Sequence, residues 1–131
     1  GLVGSEMCIR DSRVRFLGIR MDVPSLLKAA DIVIMSSHLE GLSLSNIEGM
    51  SVGKPFIASD VDGLREVTKN YGILFPHQDA EALAKAITEL MRNSELYDST
   101  AARCKKRALQ FDISVMAKKY NDRYCRLLKL K

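Results

Sequence analysis

The sequence predicts an α/β fold, a parallel sheet with helices on both faces. Short apolar β-type runs alternate with helical patterns from residue 14 onward, and such alternation builds parallel βαβ units. The run Ile32-Val33-Ile34-Met35 is apolar throughout, the signature of a strand buried on both faces. The chain has 131 residues, 47% hydrophobic and 27% charged. That suits one ordinary globular domain, or a piece of a larger one.

The elements follow in order. Residues 1–12 show no helical or strand periodicity and lead into no cap; they read as a non-native or disordered leader, similar to translated adaptor sequence at the end of a reading frame, so the domain is placed at 13–131. Val14 to Gly18 reads as a short strand closed by glycine. Asp22-Val23-Pro24 opens a helix, with proline suited to the first turn, and Leu26, Leu27 and Ala30 supply its apolar side. The strand Ile32–Met35 follows. Ser45 to Val52 is the next helix and Gly53 its C-cap. Lys54 to Ala58 is a third strand, with Pro55 at its start where a missing N–H is tolerated. Asp60 to Gly63 is a loop, Leu64 to Lys69 a short helix, and Gly72 to Phe75 a fourth strand.

From Asp79, a natural N-cap, the pattern turns helical. Leu83, Ile87, Leu90 and Met91 share one face. Ser94 to Gln110 forms another helix. Asp112 or Ser114 caps the last one, in which Ile113, Met116, Tyr120, Tyr124 and Leu127 recur at three- and four-residue steps.

Composition narrows the function. No apolar stretch approaches the ~20 residues of a membrane span, and no secretory signal pattern is visible. The net charge is a modest +4 and aromatics make up 6%. Nucleic-acid binding would need aromatics interleaved with the basic residues, so no nucleic-acid partner is expected. Cys8, Cys104 and Cys125 form no C-x-x-C pair and lack a zinc-type histidine spacing. Free thiols in a reducing cytoplasm are the expectation.

The chemistry concentrates after the strand Ile32–Met35. Glu40 and Glu48 sit eight positions apart in a Gly/Ser-rich turn that runs into a helix. Free amides and the helix dipole, worth roughly half an elementary charge, favour an anion at such a turn. Carboxylates beside it would repel phosphate but accept hydrogen bonds from sugar or ribose hydroxyls. Together they point to a sugar-nucleotide. Ligands of open parallel sheets bind at the carboxyl ends of the strands, where this segment begins.

Val14 to Ala86 resembles the carboxyl-terminal, donor-binding half of family 4 (group 1) retaining glycosyltransferases. Leu27-Lys28-Ala29-Ala30-Asp31-Ile32-Val33 is similar to the family's strand entry, and Glu40 through Met50 to its E-x7-E motif. Gly53 to Ser59, then Gly63-Leu64-Arg65-Glu66, resemble the next strand and donor loop. Tyr71 to Pro76, with Asp79 to Ala86, resemble the closing strand and helix. An isolated E-x7-E is weak, but these blocks in order at the right spacing are specific.

The resemblance implies a Rossmann-like parallel sheet with flanking helices, part of the C-terminal half of a GT-B fold, with the terminal helices packed outside. It implies that Glu48 accepts hydrogen bonds from the ribose and that Glu40, the catalytic candidate, orients the transferred sugar. Backbone amides of Gly41, Leu42, Ser43 and Leu44 would contact donor sugar and diphosphate, and Gly63 and Glu66 a donor loop. Ser43 stands where the family often has glycine. The parent would transfer a sugar from a UDP- or GDP-sugar to a glycan or lipid-linked acceptor, with no cofactor and no metal. Asp60-Val61-Asp62 has metal-motif spacing but falls in a variable loop of the family. An acceptor-binding N-terminal domain of the same parent would be the missing partner, so the fragment itself is expected to be inactive.

Without the flanking blocks, Glu48 reads as a surface helix residue and Glu40 as a partner of the helix dipole. Glu66 reads equally as surface, and His38 and His77 as loop residues. The final helix carries Lys118, Lys119, Arg123, Arg126, Lys129 and Lys131 among its apolar positions. It reads as the terminal helix that returns to the acceptor domain, with peripheral contact to anionic lipid at the inner membrane face as the second reading. Rival functions are a sugar-nucleotide epimerase-like GT-B domain and a non-catalytic Rossmann-like interaction module.

Overall fold

The structure is a computed structural model and describes residues 13–41 and 44–129; the expected leader at 1–12 lies outside the described residues. In chain order the elements are α1 (Val23–Ala29), β1 (Val33–Met35), α2 (Leu44–Ser51), β2 (Phe56–Ser59), α3 (Asp62–Thr68), β3 (Ile73–Phe75), α4 (Ala80–Arg92), α5 (Ser94–Leu109) and α6 (Ile113–Lys129). The strands form one parallel sheet in the order β1-β2-β3. Val33 pairs with Phe56, and Ile57 with Ile73.

The sheet has two covered faces. Phe56 and Ala58 of β2 pack with Met50 of α2, Leu64 and Val67 of α3, and Cys104 and Ala108 of α5. Ile57 points the other way and packs with Phe75, Ala86 and Leu90. The period-two alternation of a strand thus feeds two cores. Both crossover helices, α2 and α3, lie on the same face, as connections of one hand require between sequential parallel strands. The phenol of Tyr97 on α5 ties that helix to the start of β1 through the Asp31 carbonyl, 2.6 Å away.

The punctuation was legible. Gly53 has φ +74° after α2, the left-handed value a C-cap needs. Pro24 sits in the first turn of α1. Asp79 caps α4 by accepting from the Ala82 amide at 2.9 Å. Asp112 rather than Ser114 takes the start of α6, where its carboxylate accepts from the Ser114 amide at 2.8 Å.

Three expectations fail. Val14–Gly18 is no strand: among the described residues no strand pairs with it, so its backbone has no ladder, and Val14, Phe16 and Leu17 are exposed. Ile34 is not buried on both faces but 41% exposed, because α4 covers β3 and leaves the β1 end of that face open. Asp62 and Gly63 are not loop; α3 begins at Asp62, two residues early, and the Asp62 carboxylate bonds Arg65 three positions on at 3.0 Å.

Candidate functional site

The carboxyl ends of the three strands form one rim, and the predicted loop crosses it. Ser59 closes β2, and its hydroxyl donates to the Ser37 carbonyl at 2.6 Å. The Ser37 hydroxyl donates to Glu40 Oε1 at 2.9 Å. This relay leaves Glu40 partly buried beside the end of the sheet. Gly63, in the first turn of α3, packs directly on the Glu40–Gly41 backbone. A Cβ there would lie 2.7 Å from the Glu40 carbonyl carbon and closer still to the carbonyl oxygens of Glu40 and Gly41. Glycine at 63 therefore answers a steric demand, and the contact joins the first turn of α3 to the Glu40–Gly41 turn.

Leu42 and Ser43 lie outside the described residues. Leu44 opens α2 and is exposed. The first amides of a helix have no partner within it, and α2 begins four positions after Glu40. Glu48 lies one turn further along and is exposed. It lines a groove of about 240 Å³ between α2 and α5 with Ser51, Lys105, Phe111 and Asp112. Glu40 is not among the residues that line this groove. The structure thus brings Glu40, Gly41 and Gly63 together, and places Glu48 on the exposed flank of α2. Glu66 is exposed on α3, and its carbonyl accepts from Arg107 Nη2 at 3.0 Å. That carbonyl serves the packing of α5 on α3.

Charge at the rim is largely self-contained. Arg65 donates to Asp60 at 2.5 Å and to Asp62 at 3.0 Å. The Asp60 carboxylate holds the guanidinium protonated beyond its ordinary range. The Asp-x-Asp spacing is thus occupied by an arginine, and no cluster of three metal-ligating side chains occurs among the described residues. Cys104 is fully buried against the Tyr71 carbonyl, and burial pushes its thiol up. Cys125 is exposed.

Sequence reasoning missed one pair. His38 and His77 meet over the rim, Nδ1 to Nε2, at 2.6 Å. They lie 39 positions apart and belong to no motif; only the register of β1 and β3 on either side of β2 predicts their approach. It also missed Asn46, a fully buried residue of α2 whose carboxamide has no hydrogen-bond partner among the described residues.

No described helix is long and apolar enough to cross a membrane. Helix α6 buries none of its residues, and Tyr120, Tyr124, Leu127 and Leu128 stand exposed beside its basic side chains.

Comparison with known proteins gives one direction. The pattern of the family "Glycosyl transferases group 1" matches residues 9–110. An N,N'-diacetylbacillosaminyl-diphospho-undecaprenol alpha-1,3-N-acetylgalactosaminyltransferase of Campylobacter jejuni is 30% identical over 123 residues, 92% of this chain and 33% of that protein. A UDP-Gal:alpha-D-GlcNAc-diphosphoundecaprenol alpha-1,3-galactosyltransferase of Escherichia coli is 29% identical over 115 residues, 86% of this chain and 30% of that protein. The crystal structure of Anabaena Alr3699/HepE in complex with UDP superposes with a TM-score of 0.79 at 27% identity, covering 87% of this chain and 32% of that one. The chain spans about a third of the length of these relatives. Its fold is the expected part of a GT-B C-terminal domain, and the chain belongs to the group 1 glycosyl transferases.

Proposed function

We propose that this chain supplies the nucleotide-sugar donor site of a retaining glycosyltransferase. One observation carries the reading most. The Glu40–Gly41 turn is clamped between the end of β2 and the first turn of α3, and α2 begins at Leu44, three positions after Gly41. A hydroxyl acceptor and a set of main-chain donors are thereby held at the strand ends, where ligands of open parallel sheets bind. In this reading Glu40 grips the transferred sugar and orients its anomeric carbon. The amides of Gly41, Leu42, Ser43 and Leu44 receive sugar and diphosphate, and Glu48 binds the ribose. Gly63 gives the turn room, and Glu66 lies on the donor-loop helix. The structural neighbour with UDP bound supports a uridine nucleotide; a GDP-sugar is the second donor.

The parent protein, on this proposal, transfers the sugar to a glycan or lipid-linked acceptor held by an N-terminal domain. Both similar transferases carry a diphospho-undecaprenol group in the names of their acceptors. The exposed apolar stripe of α6 is the surface that returns to that domain. Co-sedimentation with anionic liposomes tests the other assignment, peripheral contact at the cytoplasmic face of the membrane. The 131-residue chain alone turns over no donor, because the cationic groups that neutralise a departing diphosphate, commonly the largest catalytic contribution, are assigned to the domain portion upstream.

Calorimetric titration of UDP and GDP into wild-type and Glu48→Ala protein tests the site. Hydrogen bonds to a charged group contribute about 1.5–3 kcal/mol, so the substitution should weaken binding roughly ten- to a hundredfold. Failure of both nucleotides to bind, or equal binding by the variant, refutes the assignment.

A further inference from the structure

We infer that His38 and His77 form a proton-sharing latch that positions the Glu40 loop, and that a second proton on the pair opens it. The consequence for donor binding rests on the function proposed above; the latch itself does not.

The geometry is specific. His38 Nδ1 and His77 Nε2 are 2.6 Å apart, with the rings edge to face, centroids 4.8 Å apart and planes at 86°. β1 and β3 are not neighbours, since β2 lies between them. The bond therefore bridges the sheet end over Ser59. His38 stands beside Ser37, which both receives the Ser59 hydroxyl and holds Glu40. On the other side, His77 is followed by Gln78 with φ +65° and by the α4 cap Asp79. A left-handed glutamine is uncommon and persists where its surroundings fix it. Both rings line an open cavity of about 280 Å³ together with Ser36, Ser59, Phe75 and Gln78.

An N–H···N bond needs one protonated and one bare nitrogen facing each other. The neutral pair provides that, and so does the pair carrying one extra proton on an outer nitrogen. With two extra protons both facing nitrogens carry hydrogen and both rings are cationic. The bond is then lost and like charges repel. Imidazoles in general take up a proton near about pH 6.5, and a second proton on an interacting pair goes on at lower pH than the first. No other titratable side chain lines the cavity among the described residues. The carboxylates on the adjoining elements have other partners: Glu40 with Ser37, Asp60 with Arg65, and Asp79 with the Ala82 amide.

The test is nitrogen-15 relaxation on the whole chain at pH 8 and pH 5, in wild type, His77→Ala and His38→Ala. In wild type the backbone of residues 36–40 should be rigid at pH 8, with order parameters near 0.85, and fall below about 0.6 at pH 5. Both variants should be loose at both pH values. Variants as rigid as wild type at pH 8, or a wild-type loop unchanged by pH, overturn the latch. So does loosening of Ile57 and Ala58 together with the loop, because the acid effect would then be global.

A UDP-glucose titration separates the two readings. Wild type should bind about three- to tenfold more weakly at pH 5, the loss of one positioning hydrogen bond, and His77→Ala should show no such pH dependence. A loop that loosens with acid in protein that binds no UDP-glucose sinks the donor site and upholds the latch. Binding with a loop indifferent to pH does the reverse.

Discussion

Replacing Gly63 with alanine puts a methyl group where the Glu40–Gly41 backbone already lies. The new carbon would sit 2.7 Å from the Glu40 carbonyl carbon and closer to two carbonyl oxygens, whereas even close C···O contacts run about 3.3–3.6 Å. All the nearest atoms are main chain, so no side-chain rotation relieves the overlap. The turn must retreat by roughly 1 Å, and overpacking of this kind costs about 1–3 kcal/mol. Retreat also strains the Ser37–Glu40 and Ser59–Ser37 hydrogen bonds, each contributing about 1 kcal/mol. Against this stands the helical preference of alanine over glycine, at most about 1 kcal/mol. The net expectation is a loss of about 1–3 kcal/mol, measured by urea denaturation followed by far-ultraviolet circular dichroism. Gly41→Ala is the control, since its added carbon meets nothing within 4 Å among the described residues and should change stability by less than about 0.5 kcal/mol. Gly63→Ala protein as stable as wild type would refute the close packing of α3 on the turn.

Arg107 joins α5 to the end of α3: it donates to the carbonyls of Glu66 and Val67 at 3.0 and 3.1 Å and lies over the rings of Tyr71 and Phe111. Arg107→Ala should lower stability by about 2–4 kcal/mol, and Arg107→Lys should recover less than half of it, because an ammonium cannot match the planar fork; denaturant midpoints decide. Asn46→Leu removes a buried carboxamide without partners among the described residues and should raise stability by about 1 kcal/mol in the same assay. Hydrogen bonds from Ser114 hold the Asp112 carboxyl below the usual carboxylate range. A depressed folded value means that the stabilisation is complete above the ordinary value of about 3.9 and lost as pH falls through the lower one. The first turn of α6 should therefore fray only below about pH 4, seen in the Ser114 amide resonance, and Asp112→Asn should abolish that step.

The order of elements was readable because each end carries its own chemistry: Pro24, Gly53 and Asp79 mark boundaries through local backbone demands that need no tertiary context. What failed was non-local. Val14–Gly18 has the composition of a strand, yet a strand exists only where a neighbour supplies its hydrogen bonds. Ile34 is apolar enough for a core, but whether a helix covers it depends on the placement of α4. At the site, Glu40, Gly41 and Gly63 could be singled out by their resemblance to family motifs, although the packing of Gly63 on the Glu40–Gly41 backbone is a tertiary contact that no motif gives. The histidine pair could not, since its approach depends on the lateral order of β1, β2 and β3.

Phe56 reaches into two places that only glycine leaves open. Its ring lies 2.7 Å from where a side chain at Gly49 would begin, and its carbonyl oxygen 2.5 Å from the equivalent point at Gly72. Bulk at position 56 and emptiness at 49 are thus one property shared by a strand and the helix before it. Any drift toward a larger residue at 49 demands a slimmer one at 56 in the same step, whereas the constraint at 72, set by main chain, admits no such exchange.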